Sequence, residues 1–231
     1  MKVLIIYGTN RKGFTYKSME VFKRELKQLA ERLEEIEFEE VFVPEAMPYI
    51  CSGCKTCLIR GIEYCPHSAS MLPVIKQMRE ADGIIIASPT YVFDVTGGLK
   101  NVLDHLFTLW LSHRPEPIFF NKVGFSFATA AGAGMKNTHR TIRSTFKYLG
   151  FRKIYSFSVR EAQYGQNVEG MRKKARKRAK IFYKALVHQN LGRTNLFRYI
   201  MMKLMAKMIN TYDENGIVGL DKKYWKEKGW L

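Results

Sequence analysis

An open parallel α/β sheet with helices on both faces is the fold class this chain predicts, and three observations carry it. Short, unbroken runs of β-forming apolar residues recur, as in MKVLIIY (1–7) and GIIIA (83–87), the pattern of strands buried on both faces. Amphipathic segments at helical spacing separate such runs. Strand and helix alternate in units whose length requires parallel pairing with right-handed crossovers.

Taken in order, the first strand covers 1–7 and opens directly into the loop GTNRKGFT (8–15). A helix follows, marked by Met19, Val21, Phe22, Leu26, Leu29 and Leu33, and then IEFEEVFV (36–43) alternates as a second strand. Beyond a cysteine-bearing segment, 71–81 reads as a short helix feeding the third strand at 83–87, which Ser88, Pro89 and Thr90 end. The remaining units are a helix over 97–111, a strand over 123–128, a helix over 136–149 and a fifth strand over 154–159, before a strongly basic helix. Residues 195–231 leave that rhythm: a Met-rich amphipathic segment (200–209) carries Lys203 and Lys207 one turn apart, and the end of the chain holds Tyr224, Trp225 and Trp230. The chain thus divides into a domain at 1–190, with a cysteine insertion at about 47–70, and a helical arm at 191–231. Five strands and their helices need no further cover, so the Met-rich helix and the aromatic tail are surplus apolar surface. Such surface predicts a homo-oligomer contacted through residues after Asn195; the alternative is an arm folded back on its own domain.

A length of 231 residues suits one buried α/β domain with an appendage. No stretch approaches the roughly 18 to 20 apolar residues that cross a bilayer, and no secretory signal opens the chain, so a cytoplasmic protein is expected. The net charge is +17, and residues 160–231 hold 17 Lys and Arg against 6 Asp and Glu. The densest run, RKKARKRAK (172–180), could grip an acidic partner. Its interleaved Met171, Ala175, Ala179, Ile181, Phe182 and Leu186 make a solvated helix face the simpler reading, which disfavours nucleic acid.

All four cysteines, Cys51, Cys54, Cys57 and Cys65, fall within fifteen residues as C-x2-C-x2-C-x7-C. Thiols two residues apart converge when the backbone curls around a point, as it does around a [4Fe–4S] cluster, and Cys65-Pro66 adds to that likeness. Zinc and free or redox-active thiols are the alternatives; the spacing departs from the paired C-x2-C of structural zinc, and a disulfide framework does not suit a reducing compartment. The five histidines, His67, His105, His113, His139 and His188, show no metal-binding spacing and read as structural, with His105 on the polar side of its helix.

Ligands of an open parallel sheet bind beyond the carboxyl ends of its strands. Three loops lie there. The first holds Thr9, Asn10, Arg11, Gly13 and Thr15, and its amides at a helix N-terminus suit a phosphate. With no G-x-G-x-x-G, it fits a mononucleotide better than a Rossmann-bound NAD. The second, SPTYVFDVTGGLK (88–100), offers aromatics beside free amides, as a planar heterocycle requires. The third, TAAGAG (129–134), is small enough for a ring to approach its backbone.

The order of the GTNRKGFT loop, the CSGCKTC cluster, the ADGIIIASPTY strand and loop, and the KNVLDH helix resembles the NADPH-dependent FMN reductase and iron–sulfur flavoprotein group of the flavodoxin-like superfamily over nearly the whole chain. The resemblance implies a flavodoxin-like fold with Thr9, Asn10, Arg11 and Thr15 at the FMN phosphate. It puts Pro89, Thr90, Tyr91, Val92 and Phe93 along the flavin ring, with Thr129, Gly132 and Gly134 on its other side. Thr9-Asn10 replaces the family's usual Ser-Pro, and Phe14 stands where Asn is common. The implied activity is an NAD(P)H oxidoreductase passing electrons through FMN to a small acceptor, a redox partner or the cluster, with no side chain needed as acid, base or nucleophile. A flavodoxin-like electron carrier is the runner-up, although carriers tend to be acidic. A basic nucleic-acid module with a zinc site would leave the three strand-end loops unexplained.

Overall fold

The computed structural model describes residues 1–30, 35–162, 167–188 and 195–231. Leu33 and the division at 190 lie outside the described residues. Five strands, β1 (Lys2–Tyr7), β2 (Glu37–Phe42), β3 (Gly83–Pro89), β4 (Val123–Ala130) and β5 (Lys153–Arg160), form one parallel sheet in the order β2-β1-β3-β4-β5. This is the doubly wound, flavodoxin-like order, in which the winding reverses between β1 and β3. The central strands are mostly apolar because neither of their faces meets water; IIIAS of β3 is wholly buried, and the few polar side chains, Ser88, Ser126 and Thr129, are buried too. β2 and β5 lie at the edges and keep charged or polar residues at partly exposed positions.

On one face α1 (Phe14–Ala30) and α6 (Val168–Val187) pack together over Val3, Ile5, Phe125 and Phe127. The basic helix meets the sequence expectation. Met171, Ala175, Ala179, Phe182 and Leu186 are buried while the cations between them are exposed, and Arg172 and Arg176 reach the buried Glu25 of α1 at 2.6 and 3.5 Å. The other face is covered by α3 (Ser68–Glu80), α4 (Gly97–His105) and α5 (Met135–Tyr148), whose Val74, Ile75, Leu99, Val102, Ile142 and Phe146 meet Leu4, Ile6, Ile84 and Ile86. A four-residue helix, α2 (Thr56–Ile59), lies inside the cysteine segment.

The helix expected over 97–111 is α only to His105 and continues as a 3-10 turn at Phe107–Leu109. The arm forms α7 (Leu196–Asn210) and α8 (Gly219–Glu227). Its aromatic tail corrects the expectation of surplus surface. Trp225 is fully buried and donates its Nε1–H to the His113 carbonyl at 2.5 Å, Tyr224 donates to the Pro115 carbonyl at 2.7 Å, and Trp230 stacks near Phe120. The Met-rich helix keeps an outward stripe of Leu196, Tyr199, Ile200, Leu204 and Met208 exposed. No helix among the described residues is long and apolar enough to cross a membrane.

Candidate functional site

Parallel strands deliver their carboxyl ends to one edge, so the loops after β1, β3 and β4 converge there. They border an open recess lined by Thr9, Arg11, Gly13, Phe14, Thr15, Pro89, Thr90, Tyr91, Thr129, Ala130, Ala131 and Glu161. Eight of the residues expected from the sequence are thereby brought together. Asn10, Val92, Phe93, Gly132 and Gly134 do not line it: the Asn10 carbonyl oxygen instead accepts the Glu45 amide at 3.2 Å. Ala130 and Ala131 belong to the third loop and Phe14 to the first, though none was assigned a contact; Glu161 was not singled out from the sequence. Glu161 directly follows β5, and extending the strand-end rule to the fifth strand would have found it.

Gly8 shows why the first loop is built as it is. Its amide extends the ladder to the Ala87 carbonyl at 2.7 Å, its carbonyl accepts the Thr96 hydroxyl, and a Cβ would stand 2.9 Å from Ser88 Oγ. A side chain at this point would prise β1 from β3. Thr96 also caps α4 by accepting the Leu99 amide at 3.2 Å. At the floor of the recess Thr15 and Thr129 share a 2.6 Å hydroxyl contact. The first turn of α1 carries no acidic residue, so the positive end of the helix dipole, with Arg11 and Thr9 close by, favours an anion there.

The second loop is a tight turn, in which Tyr91 and Asp94 exchange backbone hydrogen bonds at 2.9 and 3.1 Å. Its two central residues have positive φ, 48° at Val92 and 65° at Phe93, a conformation costing a non-glycine residue on the order of 1–3 kcal/mol. Surrounding bonds hold the turn in place. Asp94 Oδ1 accepts the Val95 amide and the Thr141 hydroxyl, and Thr90 contacts Thr138 at 2.9 Å. The Phe93 ring lies over Gly134, whose φ is +93° and whose Cβ would stand 2.7 Å from that ring. Val92 is 94% exposed, so the loop presents apolar surface at the rim.

Cys51, Cys54, Cys57 and Cys65 line a second, smaller recess together with His67, His105, Met71 and Phe107. None of the four is in a disulfide. Burial, and then the Cys65, Cys54 and Cys51 sulfurs, raise the Cys57 thiol above its ordinary value, while the Thr56 hydroxyl and amide lower that of exposed Cys54. Four soft sulfur donors in mutual electrostatic range around one cavity fit a thiolate-ligated metal centre. Asn101 of α4 steadies the segment: its side-chain oxygen accepts the Cys51 amide at 3.0 Å and its amide donates to the Met47 and Tyr49 carbonyls at 3.2 and 2.9 Å. Arg114 does so from below, donating to the Cys57 and Leu58 carbonyls at 2.6 and 3.1 Å while paired at 2.8 Å with the buried Asp221 of α8.

Two histidines depart from the sequence reading. His105 is not on a polar helix side but 5% exposed, and His67 Nδ1 lies 2.9 Å from its Nε2. The pair is thirty-eight residues apart in sequence, so no local spacing could signal it.

The profile of the family described as NADPH-dependent FMN reductase matches residues 1–163. An iron–sulfur flavoprotein of Archaeoglobus fulgidus is 26% identical over 100% of both chains. A second from that organism is 36% identical over 45% of this chain and 48% of its own length, so the chain spans about half of that relative. One from Methanocaldococcus jannaschii is 34% identical over 63% of this chain and 72% of its own. Among solved structures, RosB with a bound flavin-derived intermediate superposes with a TM-score of 0.61 at 16% identity, covering 92% of this chain and 88% of that one. An NADH:FMN oxidoreductase in its apo form reaches 0.59 at 21% identity, covering 80% and 89%. At these identities the structural likeness is one of fold. The profile match and the five-stranded sheet order together make the chain a member of the NADPH-dependent FMN reductase family of flavin-dependent oxidoreductases.

Proposed function

We propose that this chain binds FMN at the carboxyl edge of its sheet and passes electrons from NAD(P)H through it, by way of a [4Fe–4S] cluster on Cys51, Cys54, Cys57 and Cys65, to a small acceptor or redox partner. The observation that carries the reading is the recess joining the Thr9, Arg11 and Gly13 loop at the start of α1 to the Pro89, Thr90 and Tyr91 loop. Arg11, Thr9 and the α1 amides bind the phosphate; Thr15 and Thr129 form the polar floor. Tyr91 and the backbone around Pro89 and Thr90 orient the ring system, and Val92 and Phe93 at the rim limit the access of water. When bound, the isoalloxazine supplies the two-electron chemistry, so the protein needs only to place and polarise it. The family membership, the full-length iron–sulfur flavoprotein relative and the shared cysteine recess support the reading. We further propose a homo-oligomer in which the outward stripe of α7 contributes to the contact.

The test is an anaerobic visible spectrum with metal, sulfide and flavin analysis. FMN near one per chain, bleached by NAD(P)H, and iron and sulfide each near about four per chain after reconstitution are expected. A colourless protein holding stoichiometric zinc would overturn both cofactor assignments. Arg11→Glu is expected to weaken FMN affinity by about ten- to a hundredfold, since a charge-assisted contact becomes a repulsion; unchanged flavin content would remove Arg11 from the phosphate site.

A further inference from the structure

The cysteine recess contains donors that a four-cysteine cluster leaves unused. One ligand atom each from Cys65, His67 and His105 lies within 4.8 Å of the other two. His105 is buried, and its Nδ1 lies 2.8 Å from the Asn101 carbonyl oxygen, which accepts and cannot donate. Nδ1 therefore carries the hydrogen, and the lone pair of the neutral ring is on Nε2, directed at His67. A ring nitrogen pinned to a backbone carbonyl, leaving the lone pair on the other nitrogen, is the arrangement that prepares metal-binding imidazoles. Asn101 is itself fixed by the Met47, Tyr49 and Cys51 backbone, so the orientation of His105 is locked to the segment that carries the cysteines. His67 is held from its other side by the Tyr49 ring, 5.4 Å away and inclined by 19°.

We propose that Cys65, His67 and His105 form a three-ligand site for a single borderline divalent cation, Zn²⁺ or Fe²⁺. One thiolate and two imidazoles are the donor set that such ions take, with the fourth tetrahedral position open to water. In the metal-free chain the 2.9 Å contact between the imidazoles is bridged by one hydrogen, donated by His67 Nδ1. Tetrahedral coordination sets two nitrogens about 3.3 Å apart, so a cation replaces that hydrogen with a movement of a few tenths of an ångström. The hydrogen moves to Nε2 of the neutral His67, and the only proton released is that of the Cys65 thiol. Because Cys65 cannot serve two centres, this site is filled only when the four-cysteine cluster is absent. It neither requires the cluster nor survives beside it.

Co²⁺ is the probe, since its tetrahedral d–d bands lie beyond the absorption of oxidised flavin. The full-length protein, stripped of metal with a chelator and kept anaerobic, is titrated with Co²⁺. One equivalent should saturate it; Cys65→Ser, His67→Gln and His105→Gln should each weaken the dissociation constant at least about tenfold, whereas Cys51→Ser and Cys54→Ser should leave it unchanged. Binding lost in Cys51→Ser or Cys54→Ser but indifferent to both histidine variants would show that cysteines alone take the ion, and would overturn the proposal. Absence of tetrahedral Co²⁺ binding would do the same. Should the buried His105 variant fail to fold by circular dichroism, the partly exposed His67→Gln decides. Reconstitution with iron and sulfide, run separately, distinguishes the two ideas: a chain that never forms a cluster yet shows this Co²⁺ pattern retains the site and loses the cluster.

Discussion

His139 stands on α5 between the two strands it covers, with Nδ1 2.7 Å from Ser126 Oγ and Nε2 2.8 Å from Ser158 Oγ. Burial, reinforced by Arg143, lowers its pKa to about 4 from an ordinary 6.5. The folded chain therefore holds fewer protons than the unfolded one between those values, and stability is undiminished above about 6.5 and falls as pH drops toward 4. The loss has a slope of at most about 1.4 kcal/mol per pH unit. His139→Gln, which keeps a donor and an acceptor, should flatten this part of a urea-denaturation pH profile; an unchanged slope would assign the acid sensitivity elsewhere. Lys122 is a second buried group, its ammonium donating to the Arg79 carbonyl at 2.8 Å and to that of Ala81 at the end of α3, with its pKa lowered by burial. Lys122→Met should destabilise by about 1–3 kcal/mol by orphaning those carbonyls. At this scale the sequence was legible only where chemistry is local. Four cysteines within fifteen residues stand out in the sequence itself; the His67–His105 pair and the buried role of Lys122 arise from tertiary contacts that no short spacing encodes.

Elements were more readable, because burial on two faces and amphipathic spacing leave periodic signatures. All five strands lie where apolar runs, or alternation in the case of β2, put them. The ends moved for reasons beyond local sequence: β3 runs on through Ser88 and Pro89 because β4 offers Ala128 and Thr129 in register, and Pro is tolerated at a strand's end. The cysteine segment is short of regular structure, so its shape depends on what grips it. Asp221 is 0% exposed, and through Arg114 it fixes two carbonyls at the start of the helical turn holding Cys57. His113 Nδ1 also contacts Asp221, at 2.8 Å, so removing Arg114 strips the buried carboxylate of one of its two partners, at a cost of about 1–3 kcal/mol. Arg114→Met and Asp221→Asn should therefore lower the iron retained after reconstitution and speed maleimide labelling of Cys57 in the metal-free protein. Arg114→Lys should not rescue either property, since an ammonium lacks the guanidinium fork that spans two carbonyls and a carboxylate. Wild-type labelling rates in all three variants would remove the clamp.

For the whole molecule, the division of the arm matters most. Its distal half belongs to the domain, with Trp225 buried and Asp221 wired to the cysteine segment, which a composition-based reading could not distinguish from free apolar surface. Its proximal helix is different. α7 is moored at its start, where Asn195 donates to the Phe151 carbonyl at 3.1 Å and Arg198 to those of Phe120 and Gly150 at 2.6 and 3.1 Å. Beyond this mooring, Leu196, Tyr199, Ile200, Leu204 and Met208 face outward, with Lys203 and Lys207 exposed beside them. A contiguous apolar stripe on a chain of net charge +17 sets two forces against each other when copies associate. Apolar burial favours contact, and like charge opposes it until salt screens the field over about 10 Å at 0.1 M. The proposed oligomer should therefore strengthen as ionic strength rises, the reverse of an assembly held by ion pairs. Ile200→Lys with Leu204→Lys should reduce the mass per particle in light scattering and leave FMN content and the melting temperature unchanged, since both side chains lie outside the core. An assembly that keeps its mass in the double variant, or one that dissociates on adding salt, would show that the outward face of α7 is not what joins the subunits.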